Sequence, residues 1–331
     1  MAMRKEMKCL QILRPGHAEV IDLPVPKPKR GEVLVKVLAV TTCPHWDLHI
    51  YQGQPMFVNV PISYPYPPGQ PGHEMSGIVA SVGPEVTGFK CGDRVSAWRD
   101  QGHHRPGCYA QYVIIDERNL IRVPETLDPV STAALELAMC IGASILDLKT
   151  ANAISGKRVG VNGLGPAGLV AAQLMRAEGA SEVIGFDTEG SRGEYAKSHL
   201  RLSHVVDPLS DEGKDLPMRK QPDVLLDTSI DCVGLRESVQ YIMDHTKGIV
   251  ALFGVQREDY TYGLTHTGLK LFGYPGHSIE AARYALQKLS EGSLDLGLLV
   301  THRMKLEDYR EAVRLLKTKS AIKVCFLPNK D

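Results

Sequence analysis

The chain has 331 residues, more than a single hydrophobic core accommodates, so two domains are expected. Its 43% hydrophobic and 23% charged residues fit a soluble globular protein and exclude a disordered or membrane-spanning one. Lys plus Arg and Asp plus Glu both number 38, a balance that gives no draw towards nucleic acid or an anionic membrane and leaves a small molecule as the expected partner.

The opening Met1-Ala-Met-Arg-Lys-Glu-Met-Lys8 is polar and lacks the apolar segment of a signal peptide, which implies a cytoplasmic protein. From Lys8 to Val123, short β-rich runs alternate with turn residues: 33–40, 77–82, 93–97 and 109–115. Short strands punctuated by Gly and Pro predict a compact barrel or sandwich. The Pro-rich stretch from Asn59 to Pro71 must be loop, because repeated proline removes backbone donors, and it delivers the chain to His73. The Gln52–Pro68 loop, with Tyr51, Phe57, Tyr64 and Tyr66, is expected to line part of a pocket, with simple packing beside the prolines as the alternative. The apolar stretch Val130–Leu148 is interrupted by Glu136 and Asp147 and reads as a buried helix, not a membrane span.

From Leu137 the rhythm changes to strands alternating with helices. Strands are expected at 158–162, 182–187, 204–207, 223–228, 248–254 and 269–273, the spacing of a doubly wound parallel sheet. Two helical stretches, Ser278–Glu291 and Leu306–Leu316, and a strand, Ala321–Leu327, close the chain. Seven scattered cysteines without a Cys-x-x-Cys pair suit reduced thiols and exclude a four-cysteine structural zinc site of the usual spacing.

Gly163-Leu-Gly165-Pro166-Ala-Gly168 follows the strand 158–162 directly and opens a helix. That context asks for a glycine at the tight turn, a second where backbone meets pyrophosphate and a third where helix packs on strand, with the phosphates at the helix N-terminus. Asp187, at the end of the next strand, is placed to accept the adenosine ribose hydroxyls and to repel a 2′-phosphate, which favours NAD over NADP. Arg192, just beyond it, is the residue that would serve a 2′-phosphate.

Gly72-His73-Glu74-x-x-Gly77, with Gly83, Val86, Gly92-Asp93-Arg94-Val95, Val300-Thr-His-Arg-Met-Lys-Leu306 and Ile322-Lys-Val324, resembles the zinc-containing alcohol and polyol dehydrogenases of the medium-chain dehydrogenase/reductase superfamily over essentially the whole chain. The resemblance implies a Rossmann NAD-binding domain at 138–272, set within a GroES-like β-barrel catalytic domain formed by 1–137 and 273–331. It implies one catalytic zinc and no structural zinc, since Ser96–Tyr109 is short and holds only Cys108. His73 takes the zinc-histidine position and Cys43 that of the thiolate. Glu136 and Glu74 compete for the third ligand position, and Cys140 lies one turn beyond Glu136. Asp47 resembles the acid that holds the zinc histidine in one tautomer. Lys323 aligns with a basic residue that meets the pyrophosphate.

The implied reaction oxidises a small, secondary alcohol, polyol or sugar-derived alcohol with NAD to the matching carbonyl compound, with zinc lowering the pKa of the alcohol. His49 corresponds to the terminal histidine of the proton relay, with His45 as intermediate carrier. One departure stands out: relatives place two residues between the cysteine and the acid-x-His, whereas Cys43-Pro-His-Trp-Asp47-Leu-His49 has three, so His45 or Trp46 stands where a Ser or Thr is usual. Two alternatives remain open at this point, a zinc-free quinone or enoyl reductase of the same superfamily and a non-catalytic nucleotide-binding sensor. A homodimer or homotetramer is the expectation of the resemblance.

Overall fold

A computed structural model describes residues 5–56 and 61–330. In chain order the elements begin with β1 (Glu6–Arg14), β2 (His17–Pro24), β3 (Glu32–Thr41), α1 (Pro44–Gln52), β4 (Glu74–Val82), β5 (Arg94–Ala97), β6 (Tyr112–Asp116), β7 (Leu120–Arg122), α2 (Pro129–Ala133) and α3 (Leu135–Thr150). They continue with β8 (Arg158–Asn162), α4 (Pro166–Ala177), β9 (Glu182–Phe186), α5 (Gly190–Leu200), β10 (His204–Val206), α6 (Asp211–Lys214), β11 (Leu226–Asp231), α7 (Arg236–His245), β12 (Thr246–Leu252), β13 (Lys270–Gly273) and α8 (Ile279–Ser290). The chain ends with β14 (Val300–Met304), α9 (Tyr309–Lys317) and β15 (Lys323–Phe326). Among the described residues no helix is long and apolar enough to cross a membrane. Residues 1–137 and 296–331 form one compact unit and 138–295 a second.

In the first unit β1 and β2 make a hairpin, and a larger sheet runs β14-β15-β3-β4-β5-β7 with β6 added beside β3. Every pairing in it is antiparallel except β14 with β15. β3 reads Glu-Val-Leu-Val-Lys-Val-Leu-Ala-Val-Thr with most of its positions buried, because Val33, Val35 and Val37 meet the main core while Leu34 and Ala39 meet smaller clusters. Strands covered on both faces are written as near-continuous apolar runs. Val33, Val35, Val37, Met75, Val79, Tyr109, Tyr309 and Phe326 fill the core beneath. The loop aromatics expected at a pocket turn inward instead: Tyr66 is buried, and Tyr51 and Tyr64 pack against this core. Phe57, with Asn59 and Val60, lies outside the described residues.

The second unit is a parallel sheet of order β10-β9-β8-β11-β12-β13. Numbered within the unit, that is the 3-2-1-4-5-6 order of a doubly wound dinucleotide-binding fold. The strand expected at 223–228 is found at Leu226–Asp231, because a turn in which the Val224 N–H donates to the Gln221 carbonyl holds the apolar Val224 short of the ladder. The chain leaves this unit at 295 and not at the expected 272. After β13 the helix α8 stays with the unit, Tyr284 donating its hydroxyl to Glu178 at 3.0 Å, and the Asp295 N–H follows by donating to Gln173 at 2.8 Å.

Candidate metal centre and cofactor loop

In the first unit, α1 starts where Pro44 occupies the first helical turn and its missing N–H costs nothing, which places Cys43 as the N-cap. His73 immediately precedes β4, Glu74 is its first residue, and Glu136 lies in the first turn of α3. Folding brings these segments together. Cys43, His73 and Glu74 each present a donor atom within 4.8 Å of the others, and Glu136 Oε2 lies 3.9 Å from His73 Nε2. That last separation is too long for a hydrogen bond, yet one ion with bonds of about 2.0–2.2 Å to nitrogen and oxygen would touch both atoms. His73 Nδ1 lies 2.8 Å from the Pro71 carbonyl, so Nδ1 carries the proton and Nε2 presents its lone pair to the centre. Burial alone would favour a neutral ring at His73. The hydrogen bond with Cys43 and the charges of Glu136, Cys43 and Glu74 outweigh it and push the imidazole well above its ordinary value. A buried position that draws positive charge this strongly, lined by sulfur, imidazole and carboxylate, fits a zinc ion.

The two competing glutamates separate here. Glu74 is 1% exposed, and both of its oxygens are taken by Lys323 Nζ, at 2.6 and 2.7 Å, with Thr41 Oγ1 donating to Oε2 at 2.7 Å. Lys323 is wholly buried and also donates to the Thr42 carbonyl at 2.5 Å. The lysine expected at the cofactor pyrophosphate thus spends its ammonium on Glu74 inside the first unit. β15 sets this up: pairing with β3 at Thr41 puts Lys323 two residues before Cys325 and beside the start of β4.

Asp47 also departs from expectation. It is buried and binds the Cys43 N–H and the hydroxyls of Tyr109 and Tyr309, while the His73 imidazole is held by Pro71. The His73 charge still acts on the Asp47 carboxylate, but that carboxylate takes its hydrogen bonds from Cys43, Tyr109 and Tyr309. Burial pushes the Asp47 carboxyl up to about 6, against the opposing pull of the Tyr309 and Tyr109 hydroxyls. His45 and His49, one helical turn apart on α1, stack with ring centroids 4.4 Å apart. Trp46 lies against His73 at 4.7 Å and His103 at 4.9 Å, and the segment 99–108 continues the wall beside Gly72 and His73. The sequence alone assigned no role to His103, Tyr109, Tyr309 or Thr41. A buried Asp47 needing donors was the one available signal for the tyrosines.

In the second unit the glycine loop is built as its sequence demands. Gly163, at φ 88°, sits where only glycine turns without strain, and a Cβ on Gly168 would lie 1.7 Å from the Gly163 carbonyl oxygen. Gly165 caps α4 and Pro166 begins it. Asp187, one residue past β9, accepts the Leu164 N–H at 2.7 Å and the Glu189 N–H at 2.8 Å, which ties the loop to the neighbouring strand end. The Arg192 guanidinium lies 3.8 Å from Asp187 Oδ2 and close to Gly165.

Comparison with known proteins agrees with both halves. Residues 29–125 match the alcohol dehydrogenase GroES-like domain family. The chain is 29% identical to an L-threonine 3-dehydrogenase of Pyrococcus horikoshii, over 98% of this chain and 99% of that one. Among solved structures it superposes on a 2R,3R-butanediol dehydrogenase of Bacillus subtilis with a TM-score of 0.82 and 24% identity, covering 98% of this chain and 100% of that one. It superposes on a galactitol-1-phosphate dehydrogenase of Escherichia coli with a TM-score of 0.81 and 21% identity, covering 97% and 100%. Cys43 and His73 fall inside the matched GroES-like segment, the parallel sheet has the nucleotide-binding order, and over nearly its whole length the chain is similar to these dehydrogenases.

Proposed function

We propose that the protein is a zinc-dependent dehydrogenase that oxidises a small secondary alcohol, polyol or sugar-derived alcohol with NAD. The observation that carries this reading is the buried His73 imidazole with the Cys43 sulfur within 4.8 Å and a Glu136 oxygen 3.9 Å away, while Lys323 neutralises Glu74. Cys43, His73 and Glu136 would hold the metal, and a set of three protein donors leaves a position for substrate. Zinc there supplies a Lewis acid that lowers the pKa of an alcohol hydroxyl, and NAD on the glycine loop supplies the hydride acceptor.

The chain's own residues do the rest. Pro71 fixes the His73 tautomer, and Lys323 with Thr41 keeps Glu74 away from the donor set. Trp46 and His103 exclude water on one side of His73. His49 accepts the proton released on oxidation, and the exposed His45 stacked on it returns that proton to solvent. Asp187 favours NAD, because a 2′-phosphate would meet its charge.

The test is metal analysis of the purified protein together with NAD reduction over a panel of alcohols, polyols and hydroxy acids. About one zinc per chain is expected, with turnover lost in Cys43→Ala and His73→Ala. Activity untouched by both substitutions overturns the metal assignment; metal-free protein active on quinones or enones would make it a reductase, and NADH binding with no turnover a sensor.

A further inference from the structure

Asp47 has no exposed surface, and among the described residues its carboxylate is held by three donors from three parts of the chain. The Cys43 N–H donates to Oδ2 at 2.9 Å, the Tyr109 hydroxyl lies 2.9 Å from each oxygen, and the Tyr309 hydroxyl donates to Oδ1 at 2.8 Å. Both tyrosines are as buried as the acid, at 0% and 1% exposure. Their rings pack on each other and on Phe326, with centroids 5.2–5.9 Å apart, contacts that phenylalanine would make equally well. The hydroxyls therefore serve the carboxylate, whose burial without donors would cost several kcal/mol.

This cluster reaches the backbone of both segments that carry the proposed donors. Cys43, the residue with the thiol, is gripped by its own backbone N–H through Asp47. Tyr109 also lies on Gly72, the residue before His73: a Cβ there would come within 2.7 Å of the Tyr109 ring and backbone nitrogen, and the Cys108 N–H donates to the Gly72 carbonyl at 2.7 Å. One side chain thus touches the loop carrying the imidazole and, through one carboxylate, the loop carrying the thiol. Tyr309 ties the same carboxylate to the first turn of α9, 262 residues away in sequence.

We propose that Tyr109 and Tyr309 are positioning residues of the metal centre: with Asp47 they form a hydroxyl–carboxylate clamp that sets the spacing between the Cys43 sulfur and the His73 imidazole. The proposal rests on the zinc reading above and adds to it the groups that make the donor set rigid before metal arrives. Partners behind a ligand are worth about 10–100-fold in metal affinity in comparable centres.

The test removes one hydroxyl at a time and keeps each ring. Zinc affinity of metal-free protein is measured by competition with a chromophoric chelator for wild type, Tyr109→Phe, Tyr309→Phe and the control Tyr51→Phe. Tyr51 meets Tyr309 edge to face at 5.9 Å but gives its hydroxyl to the Gly16 carbonyl, away from Asp47. Tyr109→Phe and Tyr309→Phe are each expected to weaken zinc binding about tenfold and to shift the thiolate-to-metal and ligand-field bands of the cobalt-substituted protein, with Tyr51→Phe matching wild type in both. Wild-type affinity and spectra in both clamp variants overturn the clamp and leave the zinc assignment standing. An equal loss in Tyr51→Phe reduces the effect to packing and overturns it also. A wild-type protein that takes up no zinc overturns the proposed function itself.

Discussion

The two units hold their functional groups by opposite means. In the second unit the cofactor loop is a local object: Gly163 to Asp187 spans 25 residues, and the loop is fixed by backbone contacts such as the Gly163 N–H to the Phe186 carbonyl at 2.7 Å. In the first unit the proposed metal donors stand at positions 43, 73 and 136, and the side chains that hold their surroundings come from 109, 309 and 323. A backbone-held loop depends on the few residues whose absence of a side chain lets the chain close. A side-chain-held centre depends on partners scattered through the chain, and each is a point of failure.

The largest test of this contrast is to remove a donor. Cys43→Ala and His73→Ala are expected to lose bound zinc and to lower alcohol-dependent NAD reduction by about 1000-fold or more, the several kcal/mol that a metal contributes to charge stabilisation. NADH affinity, read by fluorescence titration, is expected to stay at the wild-type value. Joint loss of zinc and NADH binding would show that the two units do not hold their ligands independently.

Next in size is the buried ion pair. Lys323→Met leaves the Glu74 carboxylate in the core without its counter-charge, and breaking such a pair costs about 3–5 kcal/mol. Urea unfolding should show this loss, and adding Glu74→Gln should recover more than half of it, because the stranded charge is then gone. NADH affinity should not move, since the ammonium is engaged with Glu74 and Thr42. A variant that keeps its stability and binds NADH tenfold more weakly would return Lys323 to the pyrophosphate.

On the other side of the comparison, Gly168→Ala places a methyl 1.7 Å from the Gly163 carbonyl oxygen and forces the loop apart. Strain of about 1–3 kcal/mol predicts NADH binding weaker by roughly 10- to 100-fold with zinc content unchanged.

The same contrast governs what the sequence could reveal. The glycine loop and Asp187 were legible because strand, turn, helix and acid are contiguous, and each residue type answers a backbone need seen within its own neighbourhood. The parallel sheet, though not its strand order, followed from the same alternation of elements. His73 and Cys43 were legible only through resemblance. The rivalry of Glu74 and Glu136 stayed open because it turns on Lys323, 249 residues from Glu74 and placed by the pairing of β15 with β3. Lys323 itself reads as a solvated lysine at a strand end until the sheet buries it. The hydrogen-bond partners of Asp47 were not legible: the added residue of Cys43-Pro-His-Trp-Asp47 was visible, but not the two hydroxyls that meet the acid or the Pro71 carbonyl that takes the His73 N–H. The boundary at 272 failed for a related reason, since nothing local in α8 records that Tyr284 reaches Glu178.

The smallest expected effect lies in that last contact and asks whether the cofactor loop is indifferent to side-chain networks elsewhere in its unit. Glu178, 8% exposed, accepts from Lys149 at 2.7 Å, Lys288 at 2.9 Å and Tyr284 at 3.0 Å, so one carboxylate joins α3, the end of α4 and α8. Burial alone would raise its pKa, but the two ammonium groups and the hydroxyl outweigh this and hold the carboxyl below its ordinary value. A carboxyl depressed by folding stabilises the native state fully above its unfolded pKa, about 4.3, and loses that contribution as pH falls through the folded value. Glu178→Gln should therefore cost about 1–2 kcal/mol at pH 7, with Lys149 half exposed and partly screened. Denaturant unfolding from pH 7 to pH 3 should show the gap between variant and wild type closing on the acid side, and NADH affinity at pH 7 should be the same in both. A gap that widens on acidification would reverse the sign of the Glu178 shift, and weaker NADH binding would mean that the loop leans on more than its own backbone.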